Sequence, residues 1–183
     1  MLIIAKKDDV ILRHARPEDF VAIDRITITC YTPIYESFIE MVGREAYQEI
    51  YYDPENPWPE NKTSQNHRLF KEHPEWIWVL EKLGEIFGYV SFKLRPEKNY
   101  GIFDNNAVLP SHGGQGWGKF MYRHVLKYFR NLGIRFALVE TGLDDAHIPA
   151  RKAYEGVGFD YQDRITVYYQ DLDNFNAGSD PKE

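Results

Sequence analysis

The stretch from residue 107 to 126, AVLPSHGGQGWGKFMYRHVL, constrains the fold of this chain more than any other. An apolar strand end meets a proline, then a glycine-dense turn, then apolar residues at helical spacing. Gly113, Gly114, Gly116 and Gly118 fall within a few residues of one another. Without a Cβ, the backbone there reaches positive φ and can approach a ligand closely. A helix that starts just after such a turn aims its unpaired N–H groups and positive dipole end into it, an arrangement suited to phosphate. The plain alternative is a glycine-rich turn that only reverses the chain. Gly113 to Lys119 also has the G-x-x-x-x-G-K spacing of a Walker A loop, but Phe120 stands where Ser or Thr would hold Mg²⁺. A dinucleotide G-x-G-x-x-G would need glycine at position 119, which is Lys. What surrounds the loop decides among these readings.

The 183 residues suffice for one domain with a real core. A single domain is expected, with its core over residues 10–172 and a polar tail over 173–183. A net charge of −6 argues against a nucleic-acid surface and is compatible with cationic substrates. Cys30 is the only cysteine, so no intramolecular disulfide can form, which suits a reducing cytoplasm. No apolar run approaches the ~20 residues of a membrane span, and the N-terminal run is too short for a secretory signal. Neither membrane nor metal is expected.

Taken in order, residues 10–15 read as a first strand. Arg16-Pro17-Glu18-Asp19 opens a helix, since proline and acids suit a first turn. Phe20, Ile23, Ile26 and Ile28 carry it to Cys30-Tyr31, and Pro33 is expected to break it. A second helix follows over 34–52. Residues 53–66, with three prolines, read as an exposed loop, followed by a helical turn or two over 67–73. Residues 76–81 and 86–94 form a hairpin around Lys82-Leu83-Gly84-Glu85. A third strand over 100–109 follows a polar turn and ends at the glycine loop. After the loop come a helix capped by Gly133, a strand over 135–140 parallel to the preceding one, a helix from Ile148 to about Val157, and a last strand over 165–172. The outcome is an α+β, α/β three-layer domain: a mixed, mostly antiparallel sheet with helices on both faces.

This order resembles the GNAT superfamily of acetyl-CoA-dependent N-acetyltransferases, over nearly the whole chain. Three landmarks carry the resemblance: Val108-Leu109-Pro110, then Gly113-Gly114-Gln115-Gly116-Trp117-Gly118 against the family's [Q/R]-x-x-G-x-[G/A], then Ala150-x-x-x-Tyr154-x-x-x-Gly158-Phe159. Two positions depart from it. Gly113 replaces Gln or Arg, and His147 stands where many members have Asn.

The resemblance implies acetyl-CoA as cosubstrate and direct attack by an amine in a ternary complex. It implies a cradle over Gly113, Gly114, Gln115, Gly116, Trp117, Gly118 and Lys119, with His147 near the cofactor arm. An oxyanion donor is expected from a backbone N–H at a bulge near Ala107 or Val108. Tyr154 matches the acid for the leaving thiolate, and Glu140 is preferred over Asp104 as proton acceptor. His112 reads as a turn residue, and Cys30 as poorly placed for a covalent acetyl-enzyme. The acceptor, a small-molecule or peptide amine, is expected between the first two helices and the 53–66 loop, with Tyr31 and Tyr35 lining its pocket. Monomer or homodimer stays open. A non-catalytic CoA-binding sensor or interaction module on the same fold is the rival reading.

Overall fold

A computed structural model describes residues 2–173 of the chain. Its strands are β1 (Ile3–Lys7), β2 (Val10–His14), β3 (Ile77–Lys82), β4 (Glu85–Arg95), β5 (Tyr100–Val108) and β6 (Phe136–Val139). Its helices are α1 (Phe20–Val42), α2 (Arg44–Ile50), α3 (Trp58–Glu72), α4 (Trp117–Asn131) and α5 (Ile148–Glu155). The strands form one sheet in chain order, antiparallel throughout except for the parallel pair β5 and β6. The expected mixed sheet with helices on both faces is therefore what forms. No helix among the described residues is long and apolar enough to cross a membrane.

Alternation along the strands sends side chains to two separate cores. Leu12, Trp78, Leu80, Phe92 and Phe103 meet Met121, Val125 and Phe129 of α4 and Tyr154 of α5. Ile77, Val79 and Tyr89 meet Phe20, Ile23 and Ile26 of α1 and Leu69 of α3. Arg13 pins the start of α1 to the sheet. Its guanidinium bonds Asp19 at 2.6 and 2.9 Å and Glu81 at 2.6 Å, and Arg13 and Asp19 are both buried.

The structure corrects the local reading in five places. The first strand ends at His14 and pairs with an unforeseen β1, through a turn in which Asp8 takes φ 53°. Pro33 does not end α1, which runs on to Gly43 at φ 92°. One proline forfeits one ladder bond. Packing on both sides of it holds the helix: Phe20, Ile23 and Ile26 before, and Phe38 against Tyr47 and Tyr51 after. Most of the expected 53–66 loop is the start of α3. Pro57 precedes that helix and Pro59 lies in its first turn, where no N–H is needed. The strand expected over 165–172 is absent, because its β-branched residues find no ladder among the described residues. Ile165, Tyr168 and Leu172 are exposed, and the Tyr169 hydroxyl bonds that of Tyr51 instead. The fifth place is the bulge. The break in the β4–β5 register falls between the pairs Val90–Asn106 and Phe92–Phe103, ahead of Ala107 and Val108. Residues 174–183 of the expected tail lie outside the described residues.

Candidate active site

The site is where the sheet comes apart. β5 and β6 pair only from Tyr100–Phe136 to Phe103–Val139, and β5 then runs on to Val108 paired with β4 alone. A cavity of about 250 Å³ opens there between α1, α3, β5, the loop after β6 and α5. The direction of the β5 amides follows from the register. Leu109 N–H donates to the Phe87 carbonyl at 2.8 Å, and Ala107 lies opposite Tyr89. Alternate amides of an antiparallel strand point to opposite sides. The Ala107 N–H therefore faces β4, while those of Asn106 and Val108 face the opening. Of the two residues expected to offer an oxyanion donor, Val108 is the one so oriented. The Asn106 N–H donates to the Tyr31 hydroxyl at 3.3 Å.

Tyr154 reaches the cavity from α5 and is buried. Its hydroxyl accepts from Asn106 Nδ2 at 3.1 Å and lies 3.3 Å from Oδ1 of the same amide. The ring stacks on Tyr122, whose hydroxyl also donates to Asn106 Oδ1. Burial raises the Tyr154 phenol above its ordinary value, although the bonds to Asn106 and Tyr122 pull the other way, so it keeps its proton at neutral pH.

Glu140 and Asp104 both line the cavity, from the loop beyond β6 and from β5. They differ in commitment, since Asp104 is paired with Lys93 at 2.7 Å. His147 lines it too and is held by Asp144 at 2.6 Å. Burial raises the Asp144 carboxyl, but the His147 bond and charge outweigh it and leave it below its ordinary value. Gly142 makes this pair possible, because a Cβ there would lie 2.4 Å from both Asp144 Oδ2 and His147 Nδ1. Arg151 then fastens the loop by donating to the Gly142 and Asp144 carbonyls at 2.6 and 2.8 Å.

The glycine turn fits a bound diphosphate. Gly114 and Gly116 hold φ of 72° and 82° and are exposed, and α4 begins directly after them. Gly113 has an ordinary extended backbone. Gly118 lies in the first turn of α4 beside Ala153, the neighbour of Tyr154. The Trp117 indole is in the core against Phe87, with its N–H on Gln115, so only its backbone amide can serve the cradle. The Lys119 side chain lies over Gly156, at the end of α5.

Tyr31 lines the cavity, whereas Tyr35 is outside that lining and stacks on Trp58, ring centroids 4.3 Å apart. Cys30 is outside the cavity lining, its thiol donating to the Val108 carbonyl at 3.5 Å. Burial pushes that thiol up to about 11, so it is not a thiolate at neutral pH.

Three residues that sequence reasoning missed, Lys62, Asn105 and Asn106, stand at the centre of the site. Asn105 is buried, donates to Gln65 and Asn66 at 3.2 Å each, and accepts from Lys62 at 3.0 Å and Tyr31 at 3.4 Å. The only sequence signal was a polar Asp-Asn-Asn run inside an apolar strand.

The family model described as Acetyltransferase (GNAT) family matches residues 41–159. Among solved structures, a GNAT family acetyltransferase from Brucella melitensis in complex with acetyl-CoA is 20% identical, with a TM-score of 0.56 over 83% of each chain. The ribosomal-protein-S18-alanine N-acetyltransferase from Escherichia coli is 17% identical, TM-score 0.59, over 90% of this chain and 86% of its own. A chain of the NatC complex bound to Gag peptide and CoA is 17% identical, TM-score 0.62, over 88% of this chain and 91% of its own. At such identities the likeness is one of fold. No curated protein matches the sequence.

Proposed function

Because the chain belongs to the acetyltransferase (GNAT) family, we propose that it is an N-acetyltransferase. In this reading an acetyl group passes from acetyl-CoA to a primary amine of a small molecule or peptide, by direct attack in a ternary complex. One observation carries it: a single cavity is lined by Tyr154, Glu140 and the free stretch of β5 up to Asn106, and Ala153, the neighbour of Tyr154, packs beside Gly118 in the first turn of the helix that follows two positive-φ glycines. The cosubstrates and peptide named for the structural neighbours support the same class.

When bound, acetyl-CoA supplies the activated thioester. The amides of Gly114, Gly116 and the first turn of α4 hold its diphosphate. The Val108 N–H donates to the carbonyl oxygen as charge develops on it, and one preorganised donor of this kind is worth about 3–4 kcal/mol of barrier. Glu140 accepts the proton that an alkyl ammonium of pKa ~10 must lose before attack. Tyr154 donates to the departing thiolate. The protonated state of Cys30 argues against a covalent acetyl-enzyme and for direct attack. We further propose one cytoplasmic domain, monomer or homodimer, with no metal, nucleic-acid or membrane partner.

Thiol release from acetyl-CoA with a panel of amines tests the reading. Tyr154→Phe is expected to lower kcat by about 10²-fold or more. The wild-type rate should rise with pH as the acceptor loses its proton. It should not fall below about pH 10, because Tyr154 titrates above the ordinary tyrosine value. The second reading, a non-catalytic CoA-binding module, is favoured by the missing side chain at Gly113 and by the pairing of His147 with Asp144. Tight CoA binding with no thiol release from any amine would establish it.

A further inference from the structure

We propose that the acceptor carries a carboxylate a few bonds from the amine it presents, and that Lys62 binds that carboxylate. The inference rests on the acetyltransferase reading and adds the substrate class.

Lys62 enters the cavity from the first part of α3, which sequence reading took for a loop. Its ammonium donates to Asn105 Oδ1 at 3.0 Å and sits 5.0 Å from the centroid of the Tyr31 ring. Both are neutral partners. Among the described residues Lys62 makes no ion pair, and the neighbouring carboxylate of Asp104 is bound to Lys93 at 2.7 Å. A half-buried cation with no paired counter-ion carries a desolvation cost that is compensated only in part. Burial accordingly lowers its pKa, with Asp104 offsetting part of the effect. An incoming anion relieves the cost.

The ammonium is also held in place. Both amide hydrogens of Asn105 go to Gln65 and Asn66, which leaves its carbonyl oxygen for Lys62 and Tyr31. That bond uses one of the three N–H donors of Lys62 and leaves two for a carboxylate. The loop beyond β6 brings Glu140 to the same cavity. One wall is thus cationic and another acidic, which complements an acceptor with an ammonium and a carboxylate in one small unit. The volume agrees. About 250 Å³ lies below the ~300–1,000 Å³ typical of drug-sized ligands, and the thioester end of the cosubstrate must share it. The overall charge of −6, which is compatible with cationic substrates, is not the charge of this wall.

Two sources present this chemistry: a free amino acid, or a peptide whose first residue is Asp or Glu. Acetyl transfer is measured on matched pairs, free amino acids against their amides, and peptides beginning with Asp or Glu against those beginning with Asn or Gln. We expect kcat/KM at least ten-fold higher for the carboxylate member in one series, and that series identifies the source. Lys62→Met should abolish the preference, and Lys62→Glu should reverse it. Equal rates within both wild-type pairs, or a preference that survives Lys62→Met, would overturn the proposal while leaving an acetyltransferase. Calorimetric binding of the same pairs to the CoA-loaded protein gives a readout free of turnover. Selective binding of the carboxylate member without acetylation would sustain the Lys62 site and sink the transferase reading.

Discussion

The two faces of the sheet differ in how much of their packing is polar. Under α4 and α5 the packing is apolar and aromatic: Phe129 lies against Phe92 and Phe103, ring centroids 5.3 and 5.7 Å apart, over Gly101. Under α1 and α3 a smaller apolar cluster gives way to Thr27, Tyr89, Asn66 and Asn105, all buried and joined by hydrogen bonds. The first face anchors the helix that carries the glycine turn. The second ends at Lys62 and Tyr31, on the wall of the cavity. The difference separates two tasks. On the proposed function, a dry face fixes one helix against the sheet for a cosubstrate, and a polar face sets the donors and acceptors that select an acceptor. The polar face also carries more risk, because each buried polar group is costly once its partner is gone.

Four substitutions, taken from the largest expected effect to the smallest, would break or sharpen this contrast. Phe129→Ala should cost about 3–5 kcal/mol of unfolding free energy in urea titration, because it empties the dry face. A loss under 1 kcal/mol would mean that α4 is not held this way. Asn105→Leu should cost about 1–3 kcal/mol, since it strips partners from Lys62, Tyr31, Gln65 and Asn66. The same variant should raise KM for the acceptor far more than KM for acetyl-CoA, and an equal rise in both would erase the proposed division. Gly116→Ala should cost about 1–2 kcal/mol, because a side chain is strained at φ 82°. Gly118→Ala should be close to neutral, as its Cβ would meet only ordinary contacts at 3.7 Å. Melting curves with and without CoA test that pair, and matching losses would show that the turn is not held by its backbone angles.

Much of the dry face was readable beforehand. Phe120, Met121, Val125 and Phe129 repeat at helical spacing, and the β4 and β5 runs are long enough to be strands without help. The mistakes gather on the other side and at the sheet edges. Pro33 and the prolines near α3 have strong local meanings that packing and position in the helix overrode. The residues over 165–172 have the composition of a strand, but a strand exists only where another offers its edge. Asn105 shows the limit most plainly. The four hydrogen-bond partners of its side chain come from residues 31, 62, 65 and 66, far away along the chain.

The sequence by itself determined the glycine turn, the helix behind it, the mixed sheet and the tyrosine that follows one helix and one strand later. These depend on short-range rules: backbone freedom, hydrophobic period and capping. Only the tertiary structure decided that β5 and β6 part after Phe103, that the Val108 amide faces the gap, and that Lys62 stands in it beside neutral partners. Those facts depend on register and on which distant side chains share a desolvated space, and no local pattern in the chain encodes either.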